Sequence, residues 1–209
     1  MKIILIGAPG AGKGTISNLL IERNKLMHIS SGNLFRKVLE TNSPLKEQID
    51  GILKQGKLVP DEITNKFIYD TVHPLVLKNE SFVLDGYPRR VSQAEYLDTY
   101  CSLDYAFYLD IDRDILVKRL TGRVSCPECK FIYNIYFIKP KKEGYCDHCH
   151  IPLVKRDDDN IDTVLHRFKE FDELTLPLIE YYEKEQKLVR INANQDITSM
   201  YNEINQYLK

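Results

Sequence analysis

Gly7-Ala8-Pro9-Gly10-Ala11-Gly12-Lys13-Gly14-Thr15 is a run whose residue types suit the grip of a polyphosphate. Glycines let successive backbone N–H groups turn toward one anion, and a helix opening at the end of the run adds the partial positive charge of its N-terminus. Lys13 is placed to reach the outer phosphates, and the Thr15 hydroxyl is a candidate for magnesium or a phosphate oxygen. The strict motif has Ser or Thr directly after the lysine, whereas here Gly14 intervenes. Lys2 to Ile6 before the run reads as a strand and the residues after it as a helix, the setting in which a glycine pattern is a phosphate site and not an ordinary turn. The ligand so implied is a nucleoside triphosphate.

A second chemistry comes from sulfur. Cys126-Pro127-Glu128-Cys129 and Cys146-Asp147-His148-Cys149 are two Cys-x-x-Cys pairs sixteen residues apart. That spacing reads as a tetrahedral zinc site of four thiolates, closed to water and therefore structural. His148 and His150 are alternative ligands, and two disulfides are an alternative that a reducing compartment disfavours. A segment of fewer than forty residues (122–159) buries too little apolar surface to order itself, a deficit that a metal offsets. Cys101 stands apart and reads as an isolated thiol.

These groups need a scaffold. Lys2-Ile3-Ile4-Leu5-Ile6 is short, β-branched and apolar throughout, as a strand buried on both faces of a parallel sheet is, and it is expected at the centre. A helix ending near Asn24 and an extended piece over Met27 to Ser30 complete a βαβ unit. Phe82 to Leu84, Ala106 to Leu109 and Leu188 to Ile191 are further strands separated by helix-length segments, which argues for a parallel sheet covered on both faces. Val164, Leu165, Phe168, Phe171, Leu174 and Leu178 predict one helical stripe against the core, with Pro177 as a kink or interruption. Ile197, Met200, Tyr201, Ile204 and Leu208 predict a last core helix.

Composition narrows the function classes. The 209 residues suffice for one core with insertions, and a net charge of −1 supplies no basic field for nucleic acid or an anionic membrane. No run approaches the length of a membrane span and no cleavable secretory leader is evident, so the expected location is the cytoplasm.

Beyond the phosphate loop, Ser30 to Arg36, Gly56 to Asp61, Leu84 to Arg89 with Gln93, Leu120 to Arg123, Arg156 with Asp158 and Asp159, and Arg167 follow in an order that resembles the adenylate kinase family almost from end to end. The form resembled is the bacterial long form with a zinc-bearing lid. The resemblance implies a P-loop nucleoside monophosphate kinase fold: a parallel five-stranded sheet flanked by helices, with core segments 1–29, 60–121 and 160–209, an AMP-binding insertion at 30–59 and a lid at 122–159. It implies reversible transfer from ATP to AMP, giving two ADP and maintaining adenine nucleotide balance, by a monomer that needs magnesium with ATP and carries structural zinc.

By the same resemblance, Gly10, Ala11, Gly12, Lys13, Gly14, Thr15, Arg119 and Arg123 bind ATP, with Arg119 against its base. Ser31, Arg36, Lys57, Val59, Gly86, Arg89, Gln93, Arg156 and Arg167 bind AMP, and Asp85 organises the outer shell of magnesium. Lys13, Arg89, Arg123, Arg156 and Arg167 are the catalytic set, and Cys126, Cys129, Cys146 and Cys149 hold zinc. Two positions depart from the family pattern: Ser31 stands for a common Thr and keeps its hydroxyl, while Asn33 stands for a common Asp and removes a carboxylate near magnesium. Gly122 and Asp157-Asp158-Asp159 are the expected hinges. A kinase for another nucleoside monophosphate, or one using GTP, is a second reading. A nucleotide switch whose zinc ribbon binds nucleic acid through Lys139, Lys141 and Lys142 is a third.

Overall fold

The computed structural model describes residues 1–208. Its chain opens with β1 (Lys2–Gly7), α1 (Lys13–Asn24), β2 (Met27–Ser30), α2 (Ser31–Leu39), α3 (Lys46–Lys54) and α4 (Asp61–Leu77). It continues through β3 (Phe82–Asp85), α5 (Val91–Asp98), β4 (Tyr105–Asp110), α6 (Arg113–Thr121), β5 (Arg123–Ser125) and β6 (Ile132–Asn134). α7 (Ile161–Glu170), a π-helical turn (Phe171–Thr175), α8 (Pro177–Lys184), β7 (Leu188–Asn192) and α9 (Ile197–Asn205) complete it. Among the described residues, five parallel strands form one sheet in the order β2-β3-β1-β4-β7, with β1 central as its apolar run requires.

The pleat divides the core between two faces. Ile3 and Leu5 pack with Ile16 and Leu20 of α1, Val164 of α7 and Ile204 of α9. Ile4 and Ile6 pack with Ile68 of α4, Leu97 of α5 and Leu178 of α8. All five strands run the same way, and the chain leaves β1 first to β2 on one side and later, through β3, to β4 on the other. The carboxyl end of β1 is thus the switch point where parallel sheets open a crevice for ligands.

The helix expected over 164–178 is divided. Val164 and Phe168 belong to one face of the core and Leu178 and Tyr182 to the other. Between them Leu176 N donates to Phe171 O at 2.9 Å, an i to i−5 bond, and Pro177, which has no N–H to contribute, starts α8. Leu165, expected in the stripe, is 55% exposed. The π turn rotates the helical run by part of a turn, so one apolar pattern serves two faces and Leu165 falls outside both.

Two smaller clusters stand over the crevice. Phe35, Val38 and Ile49 gather with Val59 and with Ile63 and Phe67 of α4. Cys126, Tyr133 and Cys146 gather with Val124, Phe131 and Leu153 around the antiparallel β5–β6 hairpin.

Candidate active site

The phosphate loop is the bend between β1 and α1, and a cleft of about 1050 Å³ opens from it. Gly10, Gly12, Lys13, Gly14 and Thr15 line this cleft, while Ala11 is wholly buried beneath it. Lys13 Nζ donates to Gly7 O at 2.7 Å and Ala8 O at 3.1 Å, folded back on the loop. Burial, chiefly, lowers its ammonium to about 7; Asp85 opposes this, and Arg89, Arg167 and Arg123 lower it further. Such a cation is short of anions, which is the condition a polyphosphate relieves. A side chain at Gly14 would bring its Cβ to 3.1 Å from Ile132 Cδ1, so β6 rests directly on the loop at the position where the strict motif has a hydroxyl residue.

Five guanidinium groups, brought from separate stretches of chain, share the cleft with this loop. Arg36 of α2, Arg89 after β3, Arg123 of β5, Arg156 before α7 and Arg167 of α7 all line the cleft. Arg123 grips Asp159 bidentately, with Nε to Oδ2 at 2.7 Å and Nη2 on Oδ1. Arg167 Nη1 reaches Asp158 Oδ2 at 3.0 Å and Asp159 Oδ1 at 3.4 Å. Asp159, expected from the sequence as part of a hinge run, has no exposed surface. Burial would raise the Asp158 carboxyl, but Arg167, Arg123, Arg156 and Arg36 outweigh it and hold it below the usual range. Burial and then Arg123 and Arg36 push Arg156 down, and burial is also the main cause lowering Arg36, Arg89 and Arg167. Positive charge is in excess here, and an anion is what completes it.

Asp85 ends β3 in the cleft, and His28 of β2, which sequence reasoning passed over, brings Nε2 to 3.6 Å from its Oδ2. Burial disfavours the Asp85 carboxylate, yet His28, Lys13 and Arg89 keep it below its ordinary value, so the group is an oxygen donor fit for a hard cation. Asn33 Oδ1 accepts from Arg36 Nη2 at 2.8 Å and thereby positions an arginine.

The other acceptor-side residues divide. Gly86 lines the cleft, and its carbonyl accepts from Ser31 Oγ at 2.6 Å and Arg89 Nε at 3.1 Å, which ties Ser31 to the arginine. Gln93 is buried, accepting from Arg89 N and donating to Asp61 Oδ1, both at 2.8 Å. Ser31, Val59 and Gln93 are buried and Lys57 is exposed, and none of the four lines the cleft, whereas their neighbour Leu58 does. At the other end Arg119 donates Nη2 to Ala193 O at 3.5 Å and lies 5.9 Å from the Phe137 ring centre. Phe137 and Gln195, not picked out from the sequence, and Ile197 and Met200, expected only as core positions of the last helix, line the cleft here. No short motif marks them, because the fold assembles them from the hairpin and the start of α9.

The Sγ atoms of Cys126, Cys129, Cys146 and Cys149 lie within 4.8 Å of one another. Cys129 and Cys146 are 3.6 Å apart, far beyond a disulfide and close to the roughly 3.8 Å edge of a tetrahedron with zinc–sulfur bonds of about 2.3 Å. Both pairs sit on matching turns: Lys130 N donates to Cys126 O and His150 N to Cys146 O, with φ of 61° and 59° at Lys130 and His150. No histidine joins the cluster among the described residues. The donor set fits zinc. Tyr133 Oη accepts from Asp147 N at 2.8 Å and lies 3.7 Å from Cys146 Sγ.

Among the described residues no helix is long and apolar enough to cross a membrane. A family model described as adenylate kinase matches residues 5–187. The chain is 52% identical to the adenylate kinase of Ureaplasma parvum serovar 3 over all of its own length and 99% of that protein. It is 44% identical to the adenylate kinase of Malacoplasma penetrans over 92% of its length and 89% of the relative. With the adenylate kinase of Finegoldia magna it shares 41% over all of its length and 99% of that protein.

Proposed function

The chain belongs to the adenylate kinase family and is an ATP:AMP phosphotransferase, and from that premise we propose how its own residues carry the reaction. An oxygen of the AMP phosphate attacks the γ-phosphorus of ATP, the bond from that phosphorus to the β-bridging oxygen breaks, and two ADP result. The nucleophile is already anionic near neutral pH, so no base removes a proton. Catalysis is then positioning and neutralisation of charge on a loose, in-line transition state.

The observation that carries this reading is the convergence of Arg36, Arg89, Arg123, Arg156 and Arg167 on the Lys13 loop within one cleft. Lys13 and the amides of Gly10 to Thr15 hold the ATP phosphates. Arg36 and Arg89 hold the AMP phosphate, and Arg123, Arg156 and Arg167 meet the group in flight. Ser31 positions Arg89 through Gly86 O, and Gln93 does so through Arg89 N. Arg119 lies against the ATP base. Asp85 and Thr15 are the oxygen donors toward magnesium, which neutralises phosphate charge when it arrives with ATP.

Segments 30–59 and 122–159 serve as covers over a core of 1–29, 60–121 and 160–209. In support, Leu58 N donates to Glu170 Oε2 at 3.3 Å and Thr163 Oγ1 to Lys54 O at 3.3 Å, while Ile132 rests on Gly14. Closing both covers keeps water from taking the phosphoryl group. Four thiolates hold zinc as a structural ion in the second cover. The enzyme works as a cytoplasmic monomer, and its near-neutral charge supports the absence of a nucleic-acid partner.

With ATP, AMP and magnesium, the purified protein is expected to form ADP. Lys13→Ala and Arg89→Ala should each lower kcat by about a hundredfold or more, the scale of losing one donor to developing charge. Turnover that survives both changes would overturn the residue assignments.

A further inference from the structure

Asn134, the last residue of β6, spends every polar atom of its side chain inside the protein. Its Nδ2 donates to Arg119 O at 2.7 Å, and its Oδ1 accepts from Tyr136 N at 2.9 Å and Phe137 N at 3.3 Å. The side chain is 7% exposed, so these bonds exclude water and a lost partner is not cheaply replaced. Backbone bonds continue the clamp: Asn134 N donates to Ile138 O and Ile135 N to Gly122 O, both at 2.9 Å. One amide therefore joins the end of α6, which bears Arg119, to a turn whose own residues Ile135, Tyr136 and Phe137 are each about half exposed. Exposed apolar residues give a turn little packing of its own, so hydrogen bonds must set its shape.

We propose that Asn134 is a positioning residue for the donor base: it holds Phe137 facing the Arg119 guanidinium, so that a purine ring is received between an aromatic face and a cation. The inference rests on the reading of this end of the cleft as the ATP base site. Gly122 supports the same arrangement from beneath, since a Cβ there would lie 2.6 Å from Tyr136 Cδ2 and 3.0 Å from Asn134 Oδ1. The turn thus has a fixed seat against the hinge residue and a fixed tie to the helix end.

The test compares two probes in calorimetry on the zinc-loaded protein: a non-hydrolysable ATP analogue with magnesium, and inorganic tripolyphosphate, which offers the phosphates without the base. Asn134→Ala should weaken the analogue by about tenfold or more, from the loss of two to three buried hydrogen bonds. Tripolyphosphate should change by less than about twofold on the same scale. Gly122→Ala, which displaces the turn from the other side, should give the same split. If Asn134→Ala does not fold, Gly122→Ala decides, because it displaces the turn and leaves every polar atom of Asn134 in place; a loss confined to the analogue is expected. Equal weakening of both probes, or an unchanged analogue affinity, would overturn the proposal. A wild-type protein that binds the analogue no tighter than tripolyphosphate would instead remove the base-site reading on which it stands.

Discussion

Asp159 has no exposed surface and accepts from both Arg123 and Arg167, yet no hydrophobic pattern around it announces burial. Its carboxylate is the counterweight to the arginine cluster, and removing one partner of a buried pair costs about 3–5 kcal/mol. Asp159→Asn should lower the melting temperature of the ligand-free protein by roughly 10 °C, at about 2–4 °C per kcal/mol for a chain of this size. Tripolyphosphate should restore more of that loss than it adds to the wild type, because its charge replaces the missing carboxylate; equal increments would refute this account. Cys101, buried in a cluster with Leu97 and Leu103 and not among the four grouped thiols, makes a separate pH prediction. Burial pushes its thiol up to about 11 from the 9.0 of an exposed thiol, so between those values the folded chain holds a proton that the unfolded chain has released. Its contribution is whole below about pH 9 and is lost as pH rises through about 11. Cys101→Ala should therefore show a shallower fall in melting temperature over that window, and parallel curves would dismiss the thiol. At this scale the sequence told residue type but not company. Lys13, the arginines and the four cysteines carry their chemistry in motifs. The burial of Asp159, the ties of Gln93 and the His28 contact with Asp85 depend on chain segments brought together only by folding.

At the scale of elements, strands were the most legible feature, because an apolar run such as Ile3 to Ile6 has one way to bury both faces. Helix starts are fixed locally as well, though sequence reasoning did not single out their caps: Ser30, Asn160 and Asp196 cap α2, α7 and α9 with their side-chain oxygens. The π turn was not legible, since Val164 and Leu178 lie in one periodic pattern and only packing on opposite sheet faces tells them apart. With zinc on its four thiols, as proposed, the β5–β6 hairpin would depend most on something outside its sequence. Its cluster of Cys126, Tyr133 and Cys146 is small, so verified removal of zinc should loosen 122–159 to hydrogen exchange and lower the melting temperature while the core sheet stays protected. Tyr133 sharpens this prediction. Metal-bound thiolates only accept, and Asp147 N already donates to the tyrosine oxygen, which leaves the Tyr133 hydroxyl proton for Cys146 Sγ. Tyr133→Phe keeps the ring and should release zinc to a chelator at about tenfold lower competitor concentration, the usual reach of an outer-shell bond. Melting that ignores zinc removal would deny the metal its structural role.

The whole molecule places one phosphate loop at the switch point of the sheet and brings arginines to it from α2, the turn after β3, β5, the stretch before α7, and α7 itself. A site for a single nucleoside triphosphate does not need that many converging elements, nor a cleft of about 1050 Å³ that Leu58 and Gly86 line as well as Arg119. Two nucleotides meeting phosphate to phosphate, as proposed, would use all of it. Two adenosines joined through five phosphates would span both ends at once, converting the second binding event into an intramolecular one. One such molecule should bind per chain, compete with ATP and with AMP alike, and raise the melting temperature more than either nucleotide at equal free concentration, because ligand linkage grows with affinity. Competition with ATP alone would leave the Arg36 and Arg89 end of the cleft without its partner. Two molecules bound per chain would mean that the ends do not face each other, and in-line transfer between them would then be geometrically impossible.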